Sequence, residues 1–99
     1  MKTLTLEDPA DNLIYREGSG GTVEIYDIVV GSERGVGKGR ALVKRLLDEV
    51  QDRTNLIFAI TRASNHRAQQ FYAHCGFRFV GSLHSFYDGE DAIVFGLDV

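Results

Sequence analysis

The stretch Arg34-Gly35-Val36-Gly37-Lys38-Gly39-Arg40-Ala41-Leu42 decides how this chain reads. Val23 to Val30, before it, is rich in Val, Ile and Tyr and reads as a strand. Leu42, Val43, Leu46, Leu47 and Val50, after it, recur at the spacing of one helix face. A strand, a glycine-rich turn and a helix start together make an anion site. Backbone N–H groups at the helix N-terminus have no partner within the helix, and the helix dipole adds about half a positive charge there. Glycines let the backbone approach a ligand without Cβ clashes. Arg34, Lys38 and Arg40 add cations, so the expected guest is a phosphate or pyrophosphate.

Spacing separates the phosphate-binding families. Gly39 is followed by Arg40-Ala41, so there is no Gly-Lys-Ser/Thr to hold a nucleotide's magnesium. A dinucleotide fingerprint needs Gly-x-Gly-x-x-Gly and an acidic residue about 20 positions further on. Here the glycines run Gly35, Gly37, Gly39, and the next strand ends in Thr61-Arg62. What fits is Arg-x-x-Gly-x-Gly, as Arg34, Gly37 and Gly39. Further along stands Asn65-His66-Arg67-Ala68-Gln69-Gln70-Phe71-Tyr72-Ala73-His74-Cys75-Gly76-Phe77. The first motif resembles the coenzyme A pyrophosphate loop of the GNAT N-acyltransferases. The second resembles the Asn…Ala…Phe-Tyr…Gly-Phe signature of the same family. Both stand in the family's order, and the similarity runs over essentially the whole chain.

Length and composition bound the rest. The 99 residues make a single domain, 1–99, able to bury roughly two-thirds of its unfolded surface. A hydrophobic content of 43% and one proline are ordinary for a folded globule. The net charge of −3 gives no global basic field for nucleic acid. The single Cys75 cannot form an internal disulfide. No apolar run approaches the roughly 18 residues of a membrane span. Met1-Lys2 leads into an alternating strand rather than a signal-peptide core. The expectation is a cytoplasmic protein that binds neither nucleic acid nor membrane.

Along the chain, Lys2 to Leu6 alternates as a strand, and Asp8-Pro9-Ala10-Asp11 is a turn. Asn12 to Glu17 and Thr22 to Val30 flank the hairpin turn Gly18-Ser19-Gly20-Gly21. A helix runs from about Gly37 to Asp52, and Asn55 to Thr61 is a buried strand. Asn65 caps a second helix that ends near Gly76. Phe77 to His84 and Ala92 to Asp98 close the chain around the turn Asp88-Gly89. The order βββαβαββ predicts an α/β (α+β) domain. The resemblance implies a mixed sheet splayed between its third and fourth strands, with helices on both sides. The chain departs from the family pattern at its front, where a strand and two helices usually precede the meander. Those helices wall the acceptor groove, so the acceptor side is expected to be open or completed by a second subunit. The turn Gly31-Ser32-Glu33 is also about one residue short and lacks the usual Pro.

The resemblance implies acetyl-CoA as acyl donor and an amine as acceptor, with direct transfer in a ternary complex. A lysine-like amine has a pKa of about 10.4, so a base must take its proton. Glu24 and Asp27 on the third strand are the natural carboxylates. They stand an odd number of residues apart, which by simple alternation places them on opposite faces. Counting back from Arg34 favours Glu24 as the family's base. The Tyr of the second motif, Tyr72, matches the general acid that protonates the leaving thiolate. The family's cofactor contacts fall on Ile28, Val29 and Val30, where a backbone N–H near Val29 or Val30 meets the thioester carbonyl. They fall also on Arg34, Gly35, Val36, Gly37, Lys38, Gly39 and Arg40, on Asn65 against the pantetheine arm, and on Tyr72. Lys38 can equally be a solvated side chain, and Asn65 a plain helix cap.

Other residues read as structural. His66, His74 and His84 are dispersed and lack Cys or carboxylate neighbours at ligand spacing, so no metal is expected. Cys75 reads as buried, and adjacent residues such as His74 and Cys75 do not face each other on a helix. Phe86-Tyr87-Asp88 borders the acceptor side. Lys44, Arg45, Asp48, Glu49, Asp52 and Arg53 form a solvated helix face. Two functions stay open: an active N-acetyltransferase, and a non-catalytic coenzyme-A-binding module. The acceptor amine is not legible, and the flank left bare by the missing helices favours a homodimer.

Overall fold

The computed structural model describes residues 1–31 and 37–99. It contains β1 (Lys2–Thr5), β2 (Asn12–Glu17), β3 (Thr22–Val29), α1 (Lys38–Val50), β4 (Leu56–Arg62), α2 (His66–His74), β5 (Arg78–Tyr87) and β6 (Glu90–Asp98). The strands form one sheet in the order β1-β2-β3-β4-β6-β5. Among the described residues, only β3 and β4 pair in parallel; every other neighbouring pair is antiparallel.

Turn chemistry sets the hairpins. Gly20 and Gly21 take φ of 73° and 80° between β2 and β3. Asp88 and Gly89 take 47° and 92° between β5 and β6, the left-handed pair of a two-residue hairpin turn. Asn65 caps α2 by accepting from the Ala68 N–H at 3.1 Å. The far end of α2 closes on Gly76 at φ 91°. The Gly76 N–H donates to the Ala73 carbonyl and the Phe77 N–H to the Tyr72 carbonyl, satisfying the last turn.

The core lies between the sheet and both helices. Leu42, Val43, Leu46 and Val50 of α1 and Tyr72 of α2 join Leu13, Tyr15, Val23, Ile25, Ile57, Ala59 and Phe95 in one buried cluster. These strand residues share a face, because Tyr15 pairs with Ile25, Ile25 with Ala59 and Ala59 with Phe95. The expectation of helices on both sides is therefore corrected: α1 and α2 cover the same face. The reason is handedness. The crossovers β3-α1-β4 and β4-α2-β5 step across the sheet in the same direction, and right-handed crossovers of one sense put both helices on one side. The opposite face carries Ile14, Phe58, Ile60 and Val94 half-buried and Leu83 exposed, with no helix over it among the described residues.

Asp11, placed by sequence in a surface turn, is 1% exposed. Its carboxylate accepts from the Gly31 N–H at 2.7 Å and meets the Lys38 ammonium at 3.1 Å. The Gly31 hydrogen bond, and secondarily Lys38, hold its pKa below the usual carboxylate value against the opposing effect of desolvation.

Candidate active site

The site begins where the parallel pair parts. Pairing of β3 with β4 runs from Thr22–Leu56 to Ile25–Ala59 and stops, while β3 continues to Val29 and β4 to Arg62. At that point β3 carries a bulge: Tyr15 pairs with Ile25 and Ile14 with Asp27, which leaves Tyr26 as the extra residue. A bulge bends its strand and steepens the local twist, so it swings the end of β3 away from β4. Beyond the parting, backbone groups of both strands face a common gap.

That gap opens into a cleft of about 810 Å³. Its walls come from the diverging ends of β3 and β4, from the first turn of α1 (Gly37, Lys38, Gly39, Arg40) and from α2 (Asn65, Arg67, Ala68, Phe71, Tyr72, His74). Gly37 is the N-cap of α1 at φ 78°. It offers no side chain to cap the helix, and the first turn holds no acidic residue. The positive end of a helix of 13 residues is thus directed at the cleft mouth, with Arg40 and Arg67 beside it. Gly39 permits the closest approach: a Cβ there would lie 2.7 Å from the Phe71 ring, so α1 and α2 touch at this glycine.

Tyr72 sits at the closed end. Its ring packs against Phe71 (5.3 Å between centroids), Phe77 (5.2 Å) and Phe95 (6.2 Å), and 7% of the residue is exposed. Burial, and then the negative charge of Asp27, push the phenol pKa above its usual value. Tyr72 is therefore a protonated phenol across the physiological range. Burial likewise raises the Cys75 thiol, against a smaller opposing effect of Arg40. Cys75 is only half-buried.

The two carboxylates do not stand as alternation predicts. Arg16 pairs with Glu24 and Ile14 with Asp27, and Ile14 and Arg16 share a face of β2. Glu24 and Asp27 thus point to the same side of the sheet, a correction caused by the bulge at Tyr26, which shifts the parity of β3 by one. They differ in position along the strand. Asp27 is exposed and lines the cleft. Glu24 lies below the parting and receives the Arg16 guanidinium at 3.0 Å.

Of the residues expected to contact a cofactor, Ile28, Val30, Gly37, Lys38, Gly39, Arg40, Asn65 and Tyr72 line the cleft. Val29 pairs with Asn12 and turns its side chain to the helix-free face. Arg34, Gly35 and Val36 lie outside the described residues. The Lys38 side chain is not simply solvated, being tied to Asp11. Sequence reading missed Tyr26, Ile60, Thr61, Arg62 and Arg67 as cleft residues. For Tyr26, Ile60, Thr61 and Arg62 the signal was their place at strand ends that part, which only pairing reveals, while Arg67 reaches the cleft from α2. The hairpin residue Tyr87 does reach the cleft. Its hydroxyl donates to the Ile60 carbonyl (3.4 Å), and the Arg62 guanidinium lies 4.5 Å from its ring centroid. Arg62 is held in turn by Glu90 at 3.1 Å.

A mixed sheet split at its parallel pair, with a glycine-led helix N-terminus at the opening, defines a class: α/β domains with a cleft between two parting strands. The particular family follows from comparison. Residues 5–77 match the model of the acetyltransferase (GNAT) family, and the chain belongs to it. A protein of the same family from Desulfovibrio desulfuricans shares the fold with a TM-score of 0.82 at 29% identity, over 96% of this chain and 64% of its own. The ribosomal-protein-S18-alanine N-acetyltransferase from Escherichia coli gives 0.76 at 30% identity, over 91% of this chain and 61% of its own. NAA60 from Arabidopsis thaliana, solved with acetyl-CoA, gives 0.73 at 26% identity, over 85% of this chain and 52% of its own. The chain spans less than two-thirds of the length of each of these three. No curated protein matches it.

Proposed function

We propose that this chain is an acetyl-CoA-dependent N-acetyltransferase acting on a primary amine. The observation that carries the reading is the parting of β3 from β4 beyond Ile25–Ala59, with Tyr72 at its closed end and the α1 N-terminus at its mouth. The residues present suit the donor. A helix start without acidic side chains suits a pyrophosphate, and unpaired strand ends suit the amides of an extended arm. When bound, the donor supplies the activated acetyl group as a thioester.

The residues then have separate tasks. Asp27, in the cleft wall, takes the amine proton directly or through one water, and Glu24 is the second candidate. Its engagement by Arg16 and its place below the parting favour Asp27. Backbone N–H groups at the end of β3 face the thioester oxygen as charge builds on it. As the N–C bond forms and the C–S bond breaks, Tyr72 gives its proton to the departing sulfur. The carboxylate passes that first proton to solvent; the second, lost from nitrogen as the amide forms, restores the phenol by way of solvent, so the protein ends the cycle as it began and one proton is released.

Titration calorimetry tests the donor site, with acetyl-CoA, desulfo-CoA and ATP as ligands. Micromolar binding of the coenzyme A species, together with thiol release on adding an amine panel, is the expected result. Binding without thiol release for any amine supports the non-catalytic module instead, and no binding overturns both readings.

A further inference from the structure

Thr61 is 7% exposed, on the helix-covered face of β4, and lines the cleft. Its Oγ1 is fully buried and has no hydrogen-bond partner, the one buried side-chain polar atom in that state among the described residues. Burying a hydroxyl without a partner costs free energy. Valine has the same shape, suits a buried strand better and lacks that cost. An orphaned hydroxyl at such a place is a group whose partner arrives from outside the fold.

Its position says which partner. Tyr72, beside Phe95, stands level with Ala59, because Phe95 pairs with Ala59. Thr61 is the next residue of the same face, roughly 7 Å further along the strand, on the side where β3 and β4 are apart. It therefore lies between the closed end, where the reacting sulfur belongs, and the mouth, where the phosphates belong. What passes that point in an extended pantetheine arm is an amide. We propose that Thr61 is a positioning residue whose hydroxyl hydrogen-bonds an amide of the donor's arm, setting how far the thioester reaches toward Tyr72. This rests on the acetyl-CoA reading above.

The test compares Thr61→Val, which deletes the hydroxyl at constant shape, with Thr61→Ser, which keeps it. The free protein's thermal midpoint is read alongside calorimetric binding of three ligands: CoA, desulfo-CoA, and adenosine 3′,5′-bisphosphate, which has no arm. Thr61→Val is expected to melt no lower than wild type, because an unsatisfied polar atom is gone. It is also expected to bind CoA and desulfo-CoA roughly tenfold more weakly, the size of one neutral hydrogen bond, with bisphosphate binding unchanged. Thr61→Ser is expected to retain arm-dependent binding within about twofold of wild type on the same scale. Unchanged CoA binding in Thr61→Val overturns the assignment while leaving the donor site intact. An equal loss for the bisphosphate, or a Ser variant as weak as the Val variant, overturns it as well. Wild-type protein that binds no coenzyme A species overturns the acetyl-CoA reading and this inference with it.

Discussion

Asp11 and Lys38 form an ion pair at 3.1 Å across the first turn of α1, and the same carboxylate accepts the Gly31 N–H at 2.7 Å. One buried carboxylate from the β1–β2 turn thereby ties the end of the β3 segment to the start of the helix that faces the cleft. Asp11→Asn keeps a hydrogen-bond acceptor and removes the charge. Because the folded pKa of Asp11 is depressed, its stabilisation is present above the ordinary aspartate value of about 3.9 and is lost as pH falls through the folded value. Thermal melts are expected to show the variant below wild type from pH 6 to 8, with the two converging in acid. A difference that persists unchanged at pH 3 removes the charge from the explanation.

Glu17 gives a second acid limb. Hydrogen bonds from Arg53 and then Lys2 hold its pKa at about 2. Its contribution is thus intact above the ordinary value of 4.5 and fades as pH falls towards 2. The pair is partly exposed, so added salt should weaken it. Glu17→Gln is expected to flatten the melting midpoint between pH 5 and 3 relative to wild type, and 1 M salt should shrink the difference.

Gly39→Ala tests the contact between the helices. Alanine improves helix propensity by up to about 1 kcal/mol, but its Cβ would stand 2.7 Å from Cε1 and 3.0 Å from Cζ of Phe71. Overpacking of this kind commonly costs about 1–3 kcal/mol. A net loss of stability is expected in chemical denaturation, relieved by adding Phe71→Leu. Simple additivity of the two changes would show that the ring and the glycine do not communicate.

Tyr72→Phe keeps the buried ring and removes the proton. Turnover should fall by about 10²- to 10⁴-fold while KM for acetyl-CoA stays within severalfold. Because burial and Asp27 raise the phenol pKa, the wild-type rate should show no alkaline decline from Tyr72 between pH 7 and 9. Retained turnover in the Phe variant moves the acid role elsewhere.

Asp27→Asn and Glu24→Gln separate the two carboxylates. If Asp27 is the base, its variant loses about 10²-fold or more in kcat, while Glu24→Gln changes stability through its ion pair with Arg16 more than it changes rate. The reverse pattern assigns the base to Glu24.

The order of elements, the hairpin turns, the helix caps and both motifs were legible in the chain because each is a local matter. Glycines at positive φ, an Asn cap and hydrophobic spacing act within a few residues. The line from Gly37 to Arg40 could be placed at a helix start, and Tyr72 on a helix, from sequence alone. What tertiary structure alone decided depends on pairing between distant segments. The bulge at Tyr26 exists only in the register of β3 on β2, and it puts Glu24 and Asp27 on one face although their spacing says otherwise. The single helix-covered face follows from the strand order, which no local pattern encodes. Asp11 reads as a turn residue until Gly31 and Lys38 fold over it. The unmet hydroxyl of Thr61 becomes visible only once the strand around it is buried. Local sequence fixes conformation; which polar groups are left to bind something else is a property of the packed whole.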